Sequence, residues 1–288
     1  MIRELQALAD GGTNRLMLFL PRGAAKSTYV QLFEAWWLAR RHEQQIVSAS
    51  HTQDLSDTIS KYVQRYAREN EETLGYRLTS QNVQNWTTST GGRYRAVGVG
   101  GAIAGARAML AAIDDPVKDA EAADSETQRD AVWDWYWGDL IGCLTPRAPV
   151  VIVMTRWHED DLAGRLLLTQ AGEWRVVKVP AIAGEADPLG RAPGAWLWDD
   201  DDYGYAEEVK RKRTAFEAAG MARYWAAQYQ QEPRPPEGQL FKASHIITLG
   251  AEPTGCRWVR AWDLAATADT GSGDPDWTAG VKLGKRPD

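Results

Sequence analysis

Residues 16–40 set an apolar run of strand length, a short loop and a helix-length segment end to end, and few folds accommodate that order. Leu16 to Leu20 predicts a buried strand and Ala25 to Arg40 the helix that follows it. The loop between them, Pro21-Arg22-Gly23-Ala24-Ala25-Lys26-Ser27-Thr28, brings Lys-Ser-Thr to the start of the helix. Backbone N–H groups at a helix N-terminus attract anions, so this junction suits a phosphate. Lys26 would reach the β- and γ-phosphates and the Ser27 hydroxyl would hold Mg²⁺, with Gly23, Ala24, Ala25 and Thr28 completing the cradle for ATP. The spacing departs from G-x-x-x-x-G-K-[ST], because Leu20 and Ala25 stand where that pattern has glycine. A left-handed backbone at Ala25 would cost about 1 kcal/mol relative to glycine. A plain strand-to-helix turn with a capping serine uses the same residues.

The alternation continues along the chain. Gln45 to Ser50 predicts a second strand, and Leu55, Ile59, Val63 and Tyr66 give Thr52 to Asn70 a helical apolar face. Gln84 to Val99 predicts a hairpin around Gly91-Gly92, and Gly98 to Gly105 a glycine-rich lead-in to a strand at Ala108 to Ile113. Ser125 with Gln128 marks a helix start, Pro146 and Pro149 its stop after Leu144, and Val150 to Thr155 reads as a buried parallel strand. A helix from Glu159 to about Leu168 and a strand at Arg175 to Val179 complete an α/β fold, a parallel sheet flanked by helices of the P-loop NTPase type. After a Gly-, Pro- and Ala-rich stretch from Pro180 to Trp198 come two helical segments, Tyr205 to Ala219 and Met221 to Gln231. Pro233, Pro235, Pro236 and Gly238 mark a stiff linker, and Trp258 to Leu264 and Trp277 to Leu283 predict two strands. The expected organisation is an ATPase domain over 1–232, a linker over 233–244 and the start of a second domain over 245–288.

Composition narrows the function classes. With 33 Lys and Arg against 39 Asp and Glu, the formal charge is −6, so any nucleic-acid contact must be local. Arg93 and Arg95 beside Tyr94 are candidates for it; Lys210 to Arg213 read equally well as an exposed face paired with Glu207 and Glu208. No apolar run approaches a membrane-spanning length, and Met1 to Asp10 lacks the apolar centre of a secretory signal. The two cysteines, Cys143 and Cys256, have neither disulfide-framework nor zinc-site spacing and fit a reduced, cytosolic setting.

A second motif supports the first. The apolar strand Met109 to Ile113 ends in Asp114-Asp115, where one carboxylate can join a Mg²⁺ shell and the next can orient or deprotonate water. An acidic turn starting a helix before Pro116 is the other reading. At the end of the next strand, Met154-Thr155-Arg156-Trp157 offers a hydroxyl to sense the γ-phosphate and an arginine for transition-state charge. Arg22 and Arg107 compete as arginine fingers supplied in cis, and the sequence does not choose among them. His158 to Asp161 read as the acidic first turn of a helix rather than a metal site, and Asp199 to Asp202 as a solvated lead-in.

In this order the motifs resemble the large subunits of tailed-phage terminases. The resemblance rests on the loop at 21–28, on Gly100-Gly101-Ala102-Ile103-Ala104-Gly105 and on Ile113-Asp114-Asp115-Pro116. It continues through Ala123 to Thr127, Val132 to Tyr136 and Thr155 to Leu162, and on to Gln228-Tyr229-Gln230-Gln231-Glu232-Pro233 ahead of Leu240-Phe241-Lys242. It implies a RecA/ASCE-like ATPase with Lys26 and Ser27 on nucleotide and Mg²⁺, Asp114 as the metal-associated carboxylate, Asp115 as the catalytic one and Thr155 in the coupling motif. Relatives often carry Glu at the catalytic place, so Asp115 reaches one methylene less far. Trp262-Asp263-Leu264 resembles the opening strand of an RNase H-like nuclease, whose first aspartate, here Asp263, binds Mg²⁺ or Mn²⁺.

The implied activity is ATP-driven translocation of viral double-stranded DNA into a procapsid in the host cytoplasm. The implied partners are the portal protein, the small terminase subunit and further copies in a homo-oligomeric ring. A helicase-like or remodelling ATPase, or a non-catalytic fragment, is the alternative. Only 25 residues precede Lys26, which leads us to expect a missing or shortened adenine-contacting segment. The end at Asp288 leads us to expect an incomplete nuclease that does not cut DNA, with Asp269, Asp274 and Asp276 in a solvated turn.

Overall fold

The structure is a computed structural model and describes residues 1–80, 82–103, 105–199, 204–235, 254–263 and 279–285. The chain divides into two compact units, Met1–Pro236 and Glu237–Asp288.

The first unit is built on seven strands: β1 (Arg15–Phe19), β2 (Gln45–Ser50), β3 (Asn85–Thr87), β4 (Arg93–Gly98), β5 (Leu110–Asp114), β6 (Val150–Met154) and β7 (Arg175–Lys178). They pair in the order β3-β4-β2-β5-β6-β1-β7. All pairs are parallel except β3 with β4, the hairpin expected around Gly91-Gly92. The register places Phe19 beside Met154, Val153 beside Asp114, and Asp114 beside Ser50. The carboxyl ends of β1, β6, β5 and β2 therefore finish along one edge of the sheet, where ligands of open α/β sheets bind.

Strand alternation sends Leu16, Leu18, Ile46, Leu110 and Val151 to one face of this sheet and Met17, Phe19, Val47, Ile113 and Ile152 to the other. The first face is covered by α1 (Ile2–Ala9), α2 (Lys26–Arg40) and α3 (Gln53–Glu69), followed by the short α4 (Glu71–Leu74). The second is covered by α6 (Glu126–Trp135), a π-helical turn (Tyr136–Leu140) and α8 (Leu162–Thr169), with α5 (Ala120–Asp124) before and α7 (Ile141–Cys143) between. The tryptophans are largely packing residues. Trp86 stacks on Tyr94 at 4.6 Å and donates to Ser60 Oγ at 2.9 Å, while Trp135 and Trp174 are buried under the other face. Helices α9 (Tyr205–Ala218) and α10 (Ala222–Gln230) close the unit, with Trp225 stacked on Tyr229.

Local chemistry accounts for the departures from the expected elements. The helix expected from Glu159 begins at Leu162, because the Asp161 carboxylate caps it, accepting from Gly164 N at 2.9 Å, and also binds Arg156. The helix expected to run to Leu144 passes into the π-helical turn after Trp135. The brief α5 owes its start to Asp119, whose carboxylate accepts from Ala122 N. The strand expected at Ala108 to Ile113 runs from Leu110 to Asp114.

In the second unit, β8 (Arg257–Asp263) pairs antiparallel with β9 (Ala279–Lys285). The rings of Trp258 and Trp262 lie over Gly284 and Gly280, where a Cβ would come within 2.6 and 2.5 Å of them. A single antiparallel pair occurs in many folds. Asp263 ends β8; its side chain, Asp269, Asp274, Asp276 and the linker beyond residue 235 lie outside the described residues.

Candidate functional site

The loop after β1 curls back on itself, with Ala24 N bonded to Pro21 O at 3.2 Å and Gly23 at φ 78°. A Cβ on Gly23 would stand 3.3 Å from the Tyr205 ring, and the Tyr205 hydroxyl donates to Arg22 O at 3.0 Å. The start of α9 thus presses on the loop from outside the strand–helix unit. Ala25 caps α2 in the left-handed region, at φ 53° and ψ 20°. Ala25→Gly is expected to stabilise the unit by about 1 kcal/mol, read as a higher urea midpoint at unchanged m-value.

Lys26 is buried, and its Nζ lies 2.8 Å from Asp115 Oδ2. The other Asp115 oxygen accepts from Thr155 N at 2.8 Å, so both are engaged. Asp115 itself has φ 46°, and its carbonyl oxygen accepts from His51 N at 3.3 Å and meets His51 Nδ1 at 3.0 Å. Its strained backbone is therefore held from the end of β2. The Thr155 hydroxyl donates to Leu20 O at 3.4 Å, tying the end of β6 to the start of the loop. The Ser27 hydroxyl lies close enough to the Asp114 carboxylate to favour its ionised form, and Asp114 Oδ1 is buried without a hydrogen-bond partner. Burial and the neighbouring Asp115 carboxylate push the Asp114 carboxyl up to about 7, against the opposing pull of Lys26 and Ser27. The ends of β1, β5 and β6 thus bring Lys26, Ser27, Asp114, Asp115 and Thr155 into one cluster.

The candidate arginines separate clearly. Arg156 is buried, grips Asp161 through Nε at 3.1 and 2.8 Å, and lies over the Phe19 ring. Arg107 precedes β5, and its backbone N is bonded to the side chain of Gln45 at the start of β2. Since β5 rises about 3.3 Å per residue, Arg107 stands more than about 13 Å from Asp114. Arg22 is exposed at the loop itself, with its guanidinium 5.5 Å over the Trp157 ring and 3.3 Å from Gln228 Oε1. Thr28 is exposed on the first turn of α2.

The weaker signals resolve into ion pairs. Asp160 binds Arg129 and Arg165, which hold its carboxyl below the ordinary range, and Lys210 bridges Asp199 and Glu207. Glu208 pairs with Arg211 and Lys212. Arg93 is exposed at the start of β4, and Arg95 donates to Ala102 O.

Sequence reasoning missed Glu34, His51, Tyr205, Gln228 and Gln231. Gln228 and Gln231 lie in a stretch that carries the family resemblance but had no role of their own assigned, and Glu34 is a lone carboxylate within the apolar run from Phe33 to Leu38. Glu34 is wholly buried: Tyr94 donates to its Oε2 at 2.9 Å, and its Oε1 has no hydrogen-bond partner. Burial raises its carboxyl to about 8. A cavity of about 1070 Å³ opens beside Leu20, Ala24 and Tyr29 and runs along β7 to Ile182 and Trp198.

A family model described as the N-terminal part of the T4-like-virus-type terminase large subunit matches residues 17–242. The chain belongs to the terminase large-subunit family. Among solved structures, the large terminase of bacteriophage HK97 is similar at 14% identity and a TM-score of 0.54, over 97% of this chain and 61% of that one. The large terminase of a thermophilic bacteriophage is similar at 10% identity and a TM-score of 0.54, over 91% of this chain and 61% of that one. The complex of that thermophilic enzyme with ADP is similar at 10% identity and a TM-score of 0.52, over 99% and 64%. This terminase chain therefore spans about three fifths of the length of those structures, and the likeness establishes a shared α/β fold. No curated protein sequence matches it. Among the described residues, no helix is long and apolar enough to cross a membrane.

Proposed function

We propose that the first unit is a Mg²⁺-dependent ATPase that drives double-stranded DNA into a procapsid. The observation that carries this reading is the cluster of Lys26, Ser27, Asp114, Asp115 and Thr155 at the carboxyl edge of the sheet in a terminase-family chain. The unpartnered, buried Asp114 Oδ1 beside the Ser27 hydroxyl fits a divalent cation, and these two residues would hold Mg²⁺. The ion would supply neutralisation of the charge that develops on the phosphates.

The protein's own groups account for the remaining steps. Lys26 exchanges Asp115 for the β- and γ-phosphates, and the Gly23 to Thr28 backbone receives their oxygens at the start of α2. Asp115, released from Lys26 but still held by Thr155 N, orients a water and takes its proton as the water oxygen attacks the γ-phosphorus, while the bond to the β–γ bridging oxygen breaks and ADP leaves with that oxygen. The Thr155 hydroxyl, bonded to Leu20 O at the start of the loop, would sense the γ-phosphate, and Arg22, in the loop itself, is the candidate to meet transition-state charge. The cavity along β7 is the place for the nucleoside, with Tyr29 and Trp198 as its aromatic walls.

Double-stranded DNA, the portal protein, the small terminase subunit, a homo-oligomeric ring and a host-cytoplasmic setting follow for this chain from its family. Asp263 at the end of β8 is proposed as a metal ligand of an RNase H-like nuclease domain on the same ground. The test is phosphate release from millimolar ATP by the full chain, with and without Mg²⁺ and double-stranded DNA. Mg²⁺-dependent release that rises with DNA is expected, and no release under any of these conditions overturns the reading.

A further inference from the structure

Asp115 stands in a conformation that its own sequence opposes. It is a non-glycine residue at φ 46°, and Pro116 directly after it disfavours helical backbone in the residue ahead. Such a conformation persists only where neighbours over-determine it. The end of β6 supplies part of that restraint: Asp115 N donates to Val153 O at 2.9 Å, and Thr155 N donates to one carboxylate oxygen at 2.8 Å. The carbonyl oxygen is restrained from the opposite side of β5, by His51.

Of the two contacts that His51 makes there, the one from its ring is the shorter. Its backbone N reaches Asp115 O at 3.3 Å, near the outer limit of a hydrogen bond, whereas Nδ1 lies at 3.0 Å. A carbonyl oxygen has no proton to give, so Nδ1 carries the hydrogen and donates it. The residue that makes this contact is itself well fixed. Ser50 pairs with Asp114 in the sheet, so the next residue falls beside Asp115. Ser56 Oγ accepts from Ser50 N at 3.1 Å and donates to Val97 O at 2.7 Å, and Thr52 caps α3 through Leu55 N. His51 is thus the one residue between a pinned strand end and a capped helix, and the ring is aimed by both.

We propose that His51 is a positioning residue for ATP hydrolysis: its Nδ1–H anchors the Asp115 carbonyl and thereby aims the Asp115 carboxylate at the attacking water. It acts through the backbone of Asp115 and touches neither the nucleotide nor the water. Without the anchor, the peptide between Asp115 and Pro116 relaxes towards extended backbone and swings the carboxylate away from Thr155 N. This rests on the reading of the site as an ATPase with Asp115 as its proton acceptor.

The test uses the covalent geometry of the side chains. In histidine Nδ1 is bonded to Cγ, and so is the amide nitrogen of asparagine; the amide nitrogen of glutamine stands one bond further out, where Nε2 would be. His51→Asn therefore keeps a donor at the right distance, while His51→Gln misplaces it and His51→Ala removes it. In the full chain with Mg²⁺ and ATP, kcat is expected to fall by about 10- to 10²-fold in His51→Ala and His51→Gln with KM within about twofold, and to stay within about threefold of the parent in His51→Asn. A histidine that merely packs would give equal losses in Asn and Gln, since neither keeps the ring. Equal losses in those two variants, an unchanged kcat in His51→Ala, or a loss carried by KM overturns the assignment. Absence of turnover in the unsubstituted chain counts against the ATP reading alone. The anchor is then read from hydrogen exchange of the Thr155 amide by NMR, relative to the amides within β6. His51→Ala and His51→Gln must speed it and His51→Asn must not; equal exchange in all three variants overturns the anchor.

Discussion

Lys26→Ala lowers ATP turnover by about 10² to 10³-fold, the usual loss when one preorganised charge donor is taken from a developing anion. The substitution acts twice, because Lys26 is also the partner of Asp115 at 2.8 Å. Removing it strands that carboxylate beside Asp114, whose own carboxyl already lies near 7 through burial and proximity. Asp115→Asn separates the two effects. It leaves Lys26 free for phosphate and keeps an oxygen for Thr155 N, but it removes the proton acceptor, worth about 10² to 10⁴-fold. Lys26→Ala is therefore expected to weaken ATP binding as well as turnover, and Asp115→Asn to spare binding while abolishing turnover. Equilibrium binding of ATP together with single-turnover hydrolysis distinguishes them; retained hydrolysis in Asp115→Asn would remove Asp115 from its assigned role.

The second large effect concerns Glu34, buried in α2 against Tyr94 and Ser48. Its carboxyl is raised to about 8 from an ordinary 4.5, with burial as the principal cause. In the folded protein it stays protonated at neutral pH, whereas in the unfolded chain it ionises. The stability it contributes is complete below its ordinary value and is lost as pH rises towards 8. The slope in that window is about 1.4 kcal/mol per pH unit, or about 5 kcal/mol across it. Glu34→Gln replaces the neutral acid by a neutral amide of the same shape and removes this term. Urea unfolding at pH 5, 6.5 and 8 is expected to show a flatter profile for Glu34→Gln than for the parent, with the variant more stable at pH 8. Parallel profiles would show that Glu34 is ionised in the fold.

The parts of the molecule legible in the sequence are those whose causes are local. β1 and β6 are buried in the middle of the sheet, so Leu16 to Phe19 and Val150 to Met154 each read as an unbroken apolar run, and Gly91-Gly92 announces the one hairpin in the sheet. Lys26, Ser27, Asp114, Asp115 and Thr155 stand at strand ends or helix starts, where their residue types already suggest phosphate chemistry. The start of α8 falls later than expected because Glu159 and Asp160 read as first-turn acids, whereas Asp161 is the cap and Arg156 its partner. Tyr205 and Gln228 are illegible for a different reason. Each touches Arg22 from about two hundred positions away, 183 and 206 residues along the chain, and neither residue type advertises such a contact. Glu34 likewise finds Tyr94 across 60 residues.

The contact between Lys26 and Asp115 gives the loop a local neutrality that its sequence does not suggest. A bare lysine at a helix start would draw any passing anion and would lose that pull as salt rose. Here one anion already sits on the lysine, so an incoming triphosphate does not meet a positive charge; it trades places with a negative one. The energy of capture then depends on the difference between two ion pairs rather than on the strength of either, a quantity far less sensitive to ionic strength.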